Sequence, residues 1–89
     1  MKQAIIKCPA VWTELTQVGD GATYFITNNG YNEIMYSVSD KPAEDEEGFV
    51  LPGKCQIVFS KVSKSMYVKN FRPEYMCELA IEKYEPKEA

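Results

Sequence analysis

The sequence contains no histidine and only three cysteines among its 89 residues. Without histidine, the chain lacks the commonest general base and the commonest metal ligand. Cys8, Cys55 and Cys77 are odd in number and show no Cys-x-x-Cys spacing, so they predict neither a disulfide framework nor a zinc site. We interpret them as small, mostly buried apolar side chains in a reducing compartment, and we expect no metal or cofactor.

The sequence also lacks a basic excess and a long apolar run. Ten Lys and Arg residues stand against thirteen Asp and Glu residues, which gives a net charge of −3. This balance argues against nucleic-acid binding, which requires a basic face. No apolar run approaches the ~20 residues that span a bilayer, and residues 1–7 are too short for a signal peptide. We therefore predict a protein made in the cytoplasm that binds neither nucleic acid nor membrane.

What the sequence does contain is a regular alternation of short β-type runs and turns. Residues 24–27, 34–39 and 49–51 are rich in β-branched and aromatic side chains, and Asn, Asp, Gly or Pro residues follow each run. This spacing is typical of a small antiparallel β-sandwich or jelly-roll-like domain, here with seven or eight strands. We predict one all-β domain over residues 1–84 and a short flexible tail over 85–89. Its small core favours assembly into a homo-oligomer.

Three local expectations follow from the alternation. Residues 22–27 and 33–39 are predicted to form a hairpin around the Asn-Gly step of the intervening turn. Val11 and Leu15 are predicted to point inward, whereas Trp12 lies either at the core edge or on the opposite face.

The segment 73–84 fits either a short helix after Pro73 or a strand. We favour the strand because the first strand needs a closing partner. In that strand Cys77, Leu79 and Ile81 would face the core, and Glu78, Ala80 and Glu82 would face outward.

Two groups of residues are candidates for binding a partner. The loop 40–48 carries five acids whose spacing does not fit a calcium-binding EF-hand, so it is either a solvated loop or a contact for a basic partner. These acids are Asp40, Glu44, Asp45, Glu46 and Glu47. Around the last turn, Phe71, Arg72 and Tyr75 form an aromatic-basic group with Tyr67 and Lys69. Such residues are enriched at interfaces, although Phe71 and Tyr75 could simply close the end of the sandwich.

The order of motifs from Trp12 to Val68 resembles small β-sandwich proteins encoded in the structural gene clusters of tailed bacteriophages. The resemblance is carried by residues 12, 18–21, 25–30, 34–39, 41–42, 48–53 and 66–68. It implies a non-enzymatic virion protein that binds the phage coat or tail protein in many copies, as a decoration or accessory protein. It also implies self-association, for which we favour a trimer. The acidic run 44–47 and the insertion 71–75 depart from the pattern of those proteins.

Two other functions remain open at this point. One is a carbohydrate- or host-surface-binding module of a tail fibre, with Trp12, Tyr24, Tyr31 and Tyr36 as candidate stacking residues. The other is a regulatory protein whose acidic loop binds a host enzyme.

Overall fold

In the computed structural model of the protein, residues 3–16, 18, 22–38, 41–59 and 65–84 are described. These residues form eight β-strands and no helix, so none of them belongs to a helix long and apolar enough to cross a membrane. The all-β prediction is confirmed. The strands are β1 (Gln3–Lys7), β2 (Thr13–Glu14), β3 (Tyr24–Asn28), β4 (Ile34–Ser37), β5 (Phe49–Leu51), β6 (Gln56–Phe59), β7 (Tyr67–Lys69) and β8 (Glu78–Lys83).

The strands form two antiparallel sheets of four strands each. The first sheet has the order β1-β8-β3-β6, and the second has the order β2-β7-β4-β5. The last segment, 73–84, contains the strand β8 over residues 78–83, whereas residues 73–77 form a turn and irregular backbone. As predicted, this strand closes on the first strand, since Ile5 lies opposite Ala80 in register. The inner faces of both sheets meet in one apolar core, as in other small sandwiches.

Strict alternation along β3 shows how the core is built. Tyr24, Ile26 and Asn28 are buried, whereas Phe25 and Thr27 between them are only partly buried. Leu79 and Ile81 of β8 and Ile34 of β4 meet Ile26 in the core, as the alternation of their strands predicts. The core also contains Cys8, Leu15, Leu51, Phe59, Met66, Val68 and Cys77.

The predicted hairpin between residues 22–27 and 33–39 is wrong. β3 pairs with β6 and β8, whereas β4 pairs with β5 and β7, so the two strands belong to different sheets. The chain leaves β3 at Asn28 and crosses from one sheet to the other. A strand with one apolar face can meet its neighbour edge to edge or across the core, and its alternation is the same in both cases. The apolar pattern could therefore not distinguish the two arrangements.

Three side chains also differ from the sequence prediction. Val11 is 54% exposed because it precedes β2 and does not share its inner face with Leu15. Cys55 is exposed because it lies in the turn before β6, directly after Lys54, whose φ of 61° is left-handed. Ala80 is buried although we expected it to face outward, since Ile5 and Thr27 flank its short methyl group from both neighbouring strands.

Candidate partner-binding surface

The acidic loop, here residues 41–48, contains one internal turn and is held against the second sheet by the side chains of Trp12 and Lys69. The N–H of Glu46 donates to the C=O of Ala43 at 3.0 Å, which forms a turn. The indole Nε1–H of Trp12 donates to the C=O of Glu46 at 3.3 Å. Lys69 Nζ donates to the C=O of Glu44 and lies 3.8 Å from its carboxylate oxygen Oε2. The loop backbone is thus fixed to side chains of both β7 and the segment before β2.

Trp12 explains why the loop takes this position. Trp12 directly precedes β2 and does not belong to the main cluster of buried core residues. Trp12 is nevertheless only 2% exposed. The acidic loop covers Trp12, since a Cβ placed on Gly48 would lie 2.8 Å from the indole ring. The loop therefore buries a large aromatic side chain outside the main core cluster.

The acidic side chains of residues 44–47 are exposed to solvent. Asp45, Glu46 and Glu47 are exposed, and none of them forms an ion pair with another described residue. Glu44 is the exception, because its carboxylate interacts with Lys69. Asp40, the fifth predicted acid, lies outside the described residues. The surface is consequently a fixed backbone that displays three unpaired negative charges.

The aromatic-basic turn follows β7 directly and is organised by Asn70. The side-chain Nδ2 of Asn70 donates to the C=O of Tyr75 at 2.8 Å, and its Oδ1 accepts from the N–H of Arg72 at 3.1 Å. Arg72 pairs with Glu33 at 3.0 Å and lies 5.7 Å from the ring centre of Phe71. Phe71 is partly buried, whereas Tyr75 is 49% exposed. Arg72 thus belongs to an intramolecular ion pair, and Tyr75 is the exposed aromatic side chain of the turn.

The strand β7 connects the two predicted groups. Lys69, at its end, holds Glu44 of the acidic loop, and the aromatic-basic turn begins at the next residue. The structure therefore brings the acidic loop to the start of this turn. It does not pair the carboxylates of 45–47 with Arg72.

The four aromatic residues considered for sugar stacking do not form a common exposed platform. Trp12 and Tyr24 are buried, and Tyr36 packs against the core and lies 5.6 Å from Phe49 between ring centres. Tyr31 differs from them, since it is 87% exposed. Tyr24 and Tyr36 thus serve core and strand packing, and Trp12 packs beneath the acidic loop.

The buried cysteines are poor candidates for chemistry. Burial, with a smaller contribution from the nearby Cys77, raises the pKa of the Cys8 thiol to about 12. Burial also raises the pKa of Cys77. Thiols with raised pKa values are poor nucleophiles because the reactive form is the thiolate. Within the described part of the chain, no cluster of three His, Cys, Asp or Glu side chains could hold a metal ion.

Two residues that the sequence analysis did not single out organise this end of the sandwich. Asn28 and Asn70 are the buried polar residues of the described chain, at 0% and 4% exposure. Each forms hydrogen bonds with the backbone of a turn. The signal for Asn28 was its place at the end of an alternating strand before an Asn-Gly step, which we interpreted only as a turn signal.

Comparison with known proteins found no matching family model, no matching curated protein and no matching solved structure. The resemblance to phage proteins therefore stays a sequence-based prediction.

Proposed function

We propose that this protein is a non-enzymatic structural protein of a tailed-phage virion, a decoration or accessory protein that binds the capsid or tail in many copies. The observation that carries the binding role is the acidic loop, whose backbone is fixed by Trp12 and Lys69 while its carboxylates stay exposed. The virion setting comes from the sequence resemblance alone.

A fixed acidic loop is well suited to bind a basic surface. Because its backbone is already ordered, the loop loses little conformational entropy on binding. Its three unpaired carboxylates complement a basic surface and accelerate encounter at low ionic strength. These properties support a contact between the acidic loop and basic residues of a coat or tail protein.

The edge strand β5 supports the expected self-association. β5 pairs only with β4 among the described strands, and Phe49 and Val50 are 66% and 55% exposed. The outer backbone edge of β5 and its two exposed apolar side chains offer a contact for another chain. We propose that this edge contributes to a homo-oligomer, with the trimer as the favoured state.

The first experiment asks whether the protein is part of the particle. Virions of the phage whose genome encodes the chain would be purified by density gradient, and the protein would be quantified by mass spectrometry against the coat protein. We expect many copies in each particle. Absence of the protein from purified, infectious particles would refute the virion role.

The second experiment tests the acidic loop with a charge-matched control. The variant Asp45→Asn/Glu46→Gln/Glu47→Gln and the control Glu82→Gln/Glu85→Gln/Glu88→Gln each remove three negative charges. We expect the loop variant to bind particles lacking the protein about tenfold more weakly at low salt, since three exposed ion pairs contribute ~1.5 kcal/mol together. Its binding should also depend less on salt. Equal affinities for the two variants would exclude the loop as the contact.

A further inference from the structure

A groove lies at the end of the sandwich where β3 ends and β8 begins. It has a volume of about 370 Å³ and separates the turn 29–32 from the segment 74–78. Tyr31, Tyr75 and Met76 supply apolar surface, and Asn32, Glu74 and Glu78 supply polar groups. Tyr31 and Met76 are 87% and 71% exposed. The groove therefore combines exposed rings with hydrogen-bonding side chains.

The first wall of the groove is held by buried Asn28 and by Lys54. Asn28 Nδ2 donates to the C=O of Asn32 at 2.9 Å, and its Oδ1 accepts from the N–H of Gly30 at 2.9 Å. Lys54 Nζ donates to the C=O of Asn29 at 2.6 Å and lies 4.5 Å from the ring centre of Tyr31. The exposed Tyr31 ring thus stands on a rigid turn.

The second wall is held by buried Asn70 and joined to the first. Asn70 fixes the backbone at Tyr75, as described above. The N–H of Asn29 donates to the C=O of Glu78 at 2.9 Å, which connects the two walls at their base. The ion pair between Arg72 and Glu33 connects them a second time, beside Asn32. The groove is preorganised, which reduces the entropic cost of binding a ligand.

We propose that this groove binds a neutral saccharide. A sugar ring offers an apolar C–H face that an exposed tyrosine ring can cover, and hydroxyl groups that both donate and accept hydrogen bonds. Glu74 and Glu78 supply acceptors, and the Asn32 amide supplies both donors and an acceptor. The volume lies within the range of small-molecule sites.

The charges around the groove nearly cancel, which favours a neutral ligand over a basic peptide. Lys54 lies over Tyr31, and Arg72 lies beside the second wall, where it is paired with Glu33. Together with Glu74 and Glu78, two cations accompany three carboxylates, which leaves only a small net negative charge. The ammonium group of Lys54 lies over one face of the Tyr31 ring, and the ring is still 87% exposed, so its other face is open to a sugar ring. Of the four aromatic residues considered for sugar stacking, only Tyr31 lines this groove, and Tyr75 of the aromatic-basic turn lines it as well. The proposal does not depend on the virion role.

The test is titration of the ¹⁵N-labelled protein with maltose, cellobiose, lactose and N,N′-diacetylchitobiose, followed by NMR. We expect at least one sugar to produce saturable shifts at the amides of 29–32 and 74–78. Tyr31→Ala should weaken that binding about tenfold, whereas Tyr31→Phe, which keeps the ring, should retain it. Tyr84→Ala removes an exposed ring beyond the other end of β8 and should have no effect.

Two results would overturn the proposal. One is the absence of shifts at these amides with every sugar up to its solubility limit. The other is binding that is unchanged in Tyr31→Ala. A synthetic peptide of alternating Ala and Arg serves as the competing probe, and its saturable binding at the same amides in place of the sugars would assign the groove to basic peptides instead. The fold of each variant is checked by its NMR spectrum, and particle binding, which tests the virion role, is measured separately.

Discussion

Asn28 stabilises the fold through hydrogen bonds of its buried side chain, so a substitution that keeps its size should still lower the unfolding free energy. Its side chain is fully buried and forms four hydrogen bonds. It donates to the C=O groups of Asn32 and Leu51 at 2.9 and 3.1 Å, and it accepts from the N–H of Gly30 and the thiol of Cys77, both at 2.9 Å. These bonds connect the end of β3 to the second sheet through Leu51 and to the segment before β8 through Cys77.

The variant Asn28→Asp keeps the shape of the side chain and removes both donors. A carboxylate oxygen then faces the two carbonyl oxygens of Asn32 and Leu51, which lose their partner. Two lost hydrogen bonds with unsatisfied buried acceptors cost about 3 kcal/mol together. A domain of this size has a total unfolding free energy of only ~4–13 kcal/mol. The substitution should therefore remove a large share of the stability.

Urea unfolding followed by Trp12 fluorescence measures the loss. We expect the midpoint of Asn28→Asp to fall by about 2–3 M at neutral pH, given a slope of ~1 kcal/mol per molar urea. Burial beside two carbonyls should raise the pKa of the introduced carboxyl group. A raised folded-state pKa means that the loss is largest above that pKa and becomes smaller as the pH falls and the group is protonated.

The neighbouring Asn29→Asp variant is the matched control. Asn29 is exposed, and the same change of charge there should alter the unfolding free energy by less than ~0.5 kcal/mol. If Asn28→Asp proved as stable as Asn29→Asp, the reasoning on the Asn28 hydrogen bonds would be refuted.

Three further predictions concern the acidic loop and the thiols. A Cβ on Gly48 would lie 2.5 Å from the C=O oxygen of Tyr36, so Gly48→Ala should lower the unfolding free energy by ~2 kcal/mol in urea titration; an unchanged midpoint would contradict the close approach. Lys69→Met removes the ion-pair partner of Glu44, so it should lower the unfolding free energy by ~0.5–1 kcal/mol and shift Trp12 fluorescence to the red. An unshifted spectrum would show that the acidic loop stays over Trp12 without Lys69. Because the pKa of Cys8 is raised from 9.0 to about 12, its contribution to stability is complete below pH 9 and is lost as the pH rises toward 12, by up to ~1.4 kcal/mol per pH unit. In reducing buffer, Cys8→Ala should remove this part of the loss of unfolding free energy at alkaline pH. Equal slopes of unfolding free energy against alkaline pH in the two proteins would contradict this prediction.

The strands and their inward faces could be predicted from the sequence because they depend on local alternation. Tyr24 and Ile26, or Leu79 and Ile81, are two residues apart, and this spacing places them on one face wherever the strand lies. The final strand could likewise be predicted, since the first strand needed a partner. Strand pairing could not, because β3 and β4 have the same alternation whether they pair in one sheet or face each other across the core.

The sequence predicted which residues belong to the candidate site but not how the fold positions them. The five acids of the loop 40–48 were recognised as a possible contact, but nothing local to the loop indicates that Trp12 and Lys69 hold it. The groove beside Tyr31 was missed for the same reason. Its two walls are more than forty residues apart in the chain and meet only where β3 ends and β8 begins.

The sequence by itself determined an all-β domain, the positions of most strands and turns, and an acidic surface. Each of these follows from interactions between residues a few positions apart. Only the tertiary structure decided that the acidic loop covers Trp12, that Arg72 pairs with Glu33, and that two buried asparagines hold the walls of one groove. These features depend on which strands become neighbours, and that choice is made by packing of the whole core.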